Sequence, residues 1–401
     1  MIPLMKNAFL GEKQTRKALA EFILHAPRLS MDAKCLEFEA AFAAQEGRKS
    51  AVLFNSGGSA NLAMIQALKN LGRLKDGDKV GFSAMTWSTN IMPLIQLGLR
   101  PVPVDCDPST LNVMSGELAR VIAKENLKGM FLTNVLGFCG DLPAIRDLCR
   151  AEKVILIEDN CESLGTVLPE GRAGSFGLMS SFSFYIAHHM STIEGGLTCV
   201  DDPELDEMLR IVRANGWDRN LTATQQAHLR SKHGIVDEFQ SKYTFYDLGY
   251  NLRPTEITGF LGLEQLKHLD AAISAREANY THFENCLKKC PDLLRPNRSH
   301  IRRLSNFSFP VLCRTPQSRR LHQQRFLEAG IEIRPLIAGN MTLQPFYAKY
   351  VGGPLPALPG TDFFHNNAFY FGNYPELSPS DIATIESCLL ATDETSRMVY
   401  K

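Results

Sequence analysis

Two adjacent histidines, His188 and His189, stand in the run Ser-Phe-Ser-Phe-Tyr-Ile-Ala-His-His-Met-Ser-Thr-Ile-Glu-Gly-Gly (Ser181–Gly196). Imidazole titrates near neutral pH, so either ring could carry protons in a reaction, though neither forms a stable imine with an aldehyde. Histidines also serve as ordinary structural residues, and local sequence leaves both readings open. Asp159 ends the apolar run Val154-Ile-Leu-Ile-Glu-Asp159 and opens Asp-Asn-Cys-Glu-Ser-Leu-Gly. It is either a carboxylate presented at a strand end or a helix N-cap. Asn55-Ser-Gly-Gly-Ser-Ala-Asn61 joins an apolar run to a helical pattern. Free N–H groups at such a helix start, exposed by glycines, bind anions, although a plain turn has the same composition. Arg334, in Gly330–Met341, offers a guanidinium suited to a carboxylate or phosphate.

The elements that must position these residues alternate. Strands are expected at Ala51–Phe54, Asp78–Phe82, Pro101–Asp105, Gly129–Thr133 and Val154–Asp159. Helices are expected at Ser59–Leu71, Ser88–Leu97, Gly116–Glu125 and Asp141–Glu152. This alternation argues for an α/β fold with a mainly parallel sheet covered on both faces, whose sites lie at the carboxyl ends of strands. Past Glu264 the character changes. Leu266–Cys290 is one long helical pattern, followed by a strand at Ser308–Leu312, a helix near Ser318–Ala329, a strand near Gly330–Arg334 and a Pro/Gly-rich piece from Pro345 to Pro359. The expected organisation is an N-terminal segment over residues 1–30 packing on a small unit, a large unit over 31–265, and a small α+β C-terminal unit over 266–401.

The chain has 401 residues, 44% of them hydrophobic, with 43 basic and 43 acidic side chains. The balanced charge leaves no footprint for nucleic acid or an anionic membrane. No apolar run reaches spanning length, and Lys6, Glu12, Lys13, Arg16 and Lys17 interrupt anything like a signal peptide. Ten scattered cysteines in a chain of this size read as reduced thiols, so a cytoplasmic location is expected. No metal is expected. An iron–sulfur cluster needs about four thiolates close together, and no cysteine falls between Cys199 and Cys286.

Taken together, Ser181–Gly196, Ile157–Gly165 and Tyr-Asp-Leu-Gly-Tyr-Asn-Leu-Arg-Pro (Tyr246–Pro254) resemble the sugar aminotransferases that use pyridoxal 5'-phosphate (PLP), the DegT/DnrJ/EryC1/StrS family. The likeness runs from about Ala26 to Pro375. It implies the fold-type I, aspartate aminotransferase-like architecture, with a seven-stranded sheet between helices. In that family a lysine five residues past the phosphate serine anchors the cofactor covalently, and here that position is His188. The resemblance therefore implies His188 as catalytic base and a non-covalent cofactor, PLP or its amino form pyridoxamine phosphate (PMP). It implies Gly57, Gly58, Ser59 and Ser183 around the cofactor phosphate, Asp159 on the pyridine nitrogen and Glu162 at the ring edge. Trp87 would stack on the ring, although a tryptophan after a strand is often core. Asn251 would reach the phosphate of a neighbouring subunit, making a homodimer with shared sites. Arg334 and His189 are assigned to substrate.

The lysine-less members that this chain resembles are 3-dehydratases of nucleotide-linked 4-keto-6-deoxy sugars. The expected reaction is C3 deoxygenation, with GDP-4-keto-6-deoxy-D-mannose as the expected sugar and L-glutamate regenerating PMP. Two other readings stay open: a sugar aminotransferase using histidine in place of lysine, and a non-catalytic homologue.

Overall fold

The computed structural model describes residues 1–391. The last ten residues of the expected 266–401 unit lie outside the described residues. Thirteen strands are present among the described residues: β1 Ser50–Phe54, β2 Lys79–Ser83, β3 Arg100–Val104, β4 Gly129–Thr133, β5 Ile155–Asp159, β6 Val167–Leu168, β7 Gly171–Arg172, β8 Met179–Ser183, β9 Gly196–Val200, β10 Leu293–Leu294, β11 Ser308–Cys313, β12 Ile333–Pro335 and β13 Ala368–Gly372.

Seven of them form one sheet in the order β1-β9-β8-β5-β4-β2-β3. Only β9 runs against the others. The mainly parallel α/β sheet expected from the alternation, with the seven strands the resemblance implies, is therefore present. Its strands are largely buried because helices cover both faces; every residue of β4 and β8 is buried, the three serines of β8 included. β5 ends on two acids that point to opposite faces, as strand alternation requires. Glu158 turns away from the strand end to accept from the N–H groups of Phe176 (2.8 Å), Gly177 (2.6 Å) and Gly174 (2.9 Å), and so ties down the loop before β8. Asp159 is left facing the other side.

A second, antiparallel sheet runs β10-β11-β13-β12. It does not stand apart. One apolar core continues from Val104, Leu136 and Phe138 to Tyr280, Phe309 and Phe371, with the Phe138 and Tyr280 rings 5.6 Å apart. Within the N-terminal segment, Ile2 exchanges backbone bonds with Gly330 and Glu332 beside the small sheet. Helix Glu12–His25 instead lies on helix Glu256–Leu266, where Phe22 and Phe260 stack at 4.3 Å.

One helical expectation needs correction, and one stretch expected only as Pro/Gly-rich holds a helix. Ser88–Leu97 is a short 3-10 turn, Ser88–Asn90, followed by helix Met92–Gln96. Pro93 has no N–H to give to the turn before it, so the helix starts afresh around it. The Pro/Gly-rich stretch after Pro345 opens with helix Pro345–Tyr350, where proline occupies the first turn that tolerates it.

Candidate active site

The candidate residues gather just past the carboxyl ends of β1, β2, β5 and β8. Beyond β1, Ser56 caps helix Gly57–Asn70, its hydroxyl accepting from the Ser59 N–H at 3.1 Å. This leaves the Gly57 and Gly58 N–H groups as the donors for an anion. Close packing requires glycine here. A Cβ on Gly57 would lie 2.7 Å from Ser183 Cβ and 3.0 Å from its hydroxyl. A Cβ on Gly196, which pairs with Ser183 across β8 and β9, would lie 2.3 Å from the Gly57 nitrogen. The glycines thus bring the helix start and the Ser183 hydroxyl together.

Asp159 is buried and clamped. Its Oδ2 accepts from Asn61 Nδ2 (3.0 Å) and Asn90 Nδ2 (2.9 Å), and its Oδ1 from the Cys161 N–H (2.9 Å). Asn61 comes from the anion-site helix and also donates to Thr89 Oγ1 at 3.2 Å. Asn90 comes from the turn that follows Trp87. Trp87 itself is 58% exposed, an uncommon state for a core tryptophan. Glu162 accepts from the Leu136 N–H at 2.9 Å. Burial, opposed by that bond and reinforced by Asp159, pushes its carboxyl up to about 8, so it holds its proton at neutral pH. Tyr370 on β13 feels the same carboxyl, and burial pushes its hydroxyl up as well.

The histidines lie in the connection between β8 and β9, closed by bonds from Phe184 N to Gly195 O and from Thr192 N to Phe184 O, both 2.9 Å. The His188 ring packs 5.1 Å from Phe307 and 6.2 Å from Tyr185. Its Nδ1 is enclosed without a partner, while Nε2 is not among the enclosed atoms. Burial, then the Arg276 guanidinium, pushes the ring down to about 4, so it is neutral at physiological pH. His189 is 1% exposed and sits behind, its Nε2 3.0 Å from the Ser305 carbonyl. Burial holds it well below its ordinary value.

Asn251 stands apart from this cluster, and Arg334 borders it through Tyr370, whose hydroxyl feels both Arg334 and Glu162. Arg334 is exposed, pairs with Glu332 and its own strand's Ile333 carbonyl, and sits opposite Tyr370 in the small sheet. Asn251 is exposed, accepts from Arg253 Nε at 3.0 Å, and lines a separate groove of about 500 Å³ with Arg28, Arg219 and Arg253. Among the described residues, one other group has metal-ligand chemistry. His282, Cys286 and Glu386 hold their donor atoms within 4.8 Å of one another, with His282 Nε2 3.0 Å from the Glu386 carboxylate.

Sequence reasoning passed over Asn61, Asn90, Arg276, Glu376 and Tyr370. Asn61 closes the quoted glycine motif, so its position was in view and only its partner was not. Arg276 carried a fainter signal, as a lone arginine at a buried position of a long helical pattern.

Comparison with known proteins adds to this geometry. The profile of the DegT/DnrJ/EryC1/StrS aminotransferase family matches residues 11–390. GDP-4-keto-6-deoxy-D-mannose 3-dehydratase of Yersinia pseudotuberculosis is 34% identical over 357 residues, covering 88% of this chain and 89% of that protein. Two solved structures of GDP-4-keto-6-deoxymannose-3-dehydratase superpose with a TM-score of 0.88. One, a variant with bound GDP-perosamine, is 31% identical and covers 97% of this chain and 100% of that one. The other, with a trapped PLP-glutamate geminal diamine, is 32% identical with the same coverage.

Proposed function

This chain belongs to the DegT/DnrJ/EryC1/StrS aminotransferase family, and on that footing we propose that it is a PLP/PMP-dependent 3-dehydratase of GDP-4-keto-6-deoxy-D-mannose. The observation that carries the reading is His188, a neutral imidazole with its Nδ1 enclosed, at the position where the family resemblance puts a lysine. Such a residue can move protons and cannot anchor an aldehyde.

The residues suit the cofactor. The glycine-tight helix start and Ser183 suit a phosphate. The clamped Asp159 suits a protonated ring nitrogen. Exposed Trp87, three residues before Asn90, suits a ring face. When bound, the cofactor supplies an aldehyde that takes the amino group of glutamate and a ring that accepts electrons from the carbon bearing that nitrogen.

The protein's part is positioning and proton transfer. With the cofactor bound, His188 Nε2 would take the proton at the carbon next to the ring, which would let the sugar lose its C3 hydroxyl. His188 then carries that proton within reach of the leaving oxygen. A positioned acid/base of this kind contributes about 10²–10⁴-fold. Glu162, which burial keeps protonated at neutral pH, would offer a proton at the ring edge. Over the full cycle the sugar loses its C3 oxygen, glutamate supplies the two electrons, and its nitrogen leaves as ammonia with 2-oxoglutarate. Arg334 binds the carboxylate of glutamate or the sugar. Asn251, in its groove beside Arg219 and Arg253, reaches the cofactor phosphate in a second copy of the chain.

The test is incubation of purified protein with PLP, L-glutamate and a panel of nucleotide 4-keto-6-deoxy sugars. Free ammonia and a product lighter by one oxygen support the dehydratase. An amine retained on the sugar converts the reading to an aminotransferase. No turnover on any sugar, with cofactor bound, would leave a non-catalytic homologue.

A further inference from the structure

His188, His189, Arg276 and Glu376 line one small cavity behind the β8–β9 connection, with residues Met5 and Asn7–Leu10 of the N-terminal segment on its far side. It has about 10 Å³ of room for the centre of a water-sized sphere, and a single water needs roughly 10–15 Å³. Each of the four residues brings a buried polar atom that lacks a hydrogen-bond partner: His188 Nδ1, His189 Nδ1, Arg276 Nε and Glu376 Oε2. Buried polar groups without partners are rare, and a bound water is the usual remedy.

We propose that this cavity holds one water saturating all four atoms, and that Glu376, acting through it, is a positioning residue that fixes His188 as its Nδ1–H tautomer. The donor count carries the argument. Arg276 Nε–H can only donate, and the Glu376 carboxylate oxygen accepts. His189 Nε2 lies 3.0 Å from the Ser305 carbonyl. A carbonyl only accepts, so that nitrogen carries the ring's hydrogen and His189 Nδ1 is an acceptor. The water therefore gives its two hydrogens to Glu376 and His189 and receives one from Arg276. Its last place must be filled by a donor, which makes His188 Nδ1 the protonated nitrogen. Nε2, the ring nitrogen that is not enclosed, keeps its lone pair.

The frame is rigid. Arg276 is 1% exposed, and its Nη1 donates to the carbonyls of Phe307 (2.7 Å) and Asn373. Its Nη2 reaches the His188 carbonyl at 3.5 Å. Asn373, three residues before Glu376, returns a bond to the Arg276 carbonyl at 3.0 Å. The charged groups facing His188 are thus Arg276 from helix Leu269–Leu287 and Glu376 from the turn before helix Pro379–Leu390. The N-terminal segment and helix Glu256–Leu266 contribute only Asn7 and Gln265, and the connection itself adds His189 and Tyr185.

The role of Nε2 as base rests on the proposed function; the tautomer does not. Nitrogen NMR of ring-labelled histidine in cofactor-free protein reads it directly, with His188→Asn assigning the signal. At pH 7 the wild type is expected to carry its proton on Nδ1. Glu376→Met removes the acceptor and should let the two tautomers mix, lowering kcat by at least about tenfold with KM for glutamate little changed. Glu376→Gln keeps an acceptor oxygen and should recover the tautomer and most of the lost kcat. A proton on Nε2 in the wild type overturns the proposal, as does a His188 ring unchanged in Glu376→Met. If the methionine variant does not fold, the wild-type spectrum and a crystal structure decide. Water density between the four atoms supports the assignment, and density elsewhere in the cavity refutes it. A wild-type Nδ1–H signal in a protein that turns over no sugar would sink the proposed function and leave this assignment standing.

Discussion

Replacing Asn90 with alanine should loosen the site without touching any residue proposed to meet the substrate. Asp159 Oδ2 has two donors, Asn61 Nδ2 at 3.0 Å and Asn90 Nδ2 at 2.9 Å, and the residue is only 4% exposed, so water cannot readily replace a lost donor. A hydrogen bond to a charged group is worth about 1.5–3 kcal/mol. Asn90→Ala is therefore expected to destabilise the cofactor-free protein by about 2 kcal/mol, and Asn61→Ala by a similar amount. The two losses should not add. Either single variant leaves Oδ2 one donor, whereas the double variant leaves a buried charged oxygen with none. The double variant should exceed the sum of the singles by at least about 0.5 kcal/mol. Urea unfolding of the four proteins, followed by fluorescence, measures the cycle. Steady-state turnover should fall alongside, because a carboxylate free to swing no longer meets the ring nitrogen. A change in Asn90→Ala smaller than about 0.5 kcal/mol with unaltered turnover would refute the idea that these two asparagines hold Asp159 in place.

His188→Lys should abolish dehydration and acquire a covalently held cofactor, seen as visible absorption and as an added mass after borohydride reduction. Wild-type protein treated the same way should keep its unmodified mass, and a reduced adduct on a wild-type lysine would end the non-covalent reading. The pH profile follows from two opposite shifts. His188 is held near 4, below its usual 6.5, so kcat/KM should stay on a plateau at neutral pH and fall only as pH drops toward 4; an acid limb centred at 6.5 would contradict it. The same depression removes stability as pH falls from 6.5 through 4, because the unfolded chain takes the proton first. Glu162, raised to about 8, behaves in the other direction: stability present below 4.5 is lost as pH rises through 8. Turnover should decline above pH 8, and Glu162→Gln should remove that decline. In mixed dimers of His188→Asn with Asn251→Ala at limiting PLP, about half the native activity should return if Asn251 serves the other subunit's phosphate, where one lost bond costs about 1.5–3 kcal/mol. No recovery would place Asn251 in its own subunit's site.

What could be read in advance divides along the range of the interaction that fixes it. The strands were legible because burial on both faces writes uninterrupted apolar runs such as Ile155–Ile157 into the chain. The helix start at Gly57 was legible because glycines between an apolar run and a helical pattern expose the N–H groups of a helix start. The cluster of Gly57, Gly58, Asp159, Glu162, Ser183 and His188 was reached through the family resemblance of the segments that carry them, and the sheet order β1-β9-β8-β5 brings the ends of their strands to one region. What stayed hidden depends on partners more than 60 residues away in sequence. Asn61 and Asn90 meet Asp159 across separations of 98 and 69 residues. Arg276 approaches His188 across 88. Neither pairing leaves any local period or spacing to detect. Ser88–Leu97 failed for a different reason: its apolar spacing suits a helix, but Pro93 withholds the N–H that a continuous helix would need. That break has a use. The turn it leaves at Ser88–Asn90 points the Asn90 side chain at Asp159, so a feature that defeats the pattern is also the one that completes the clamp.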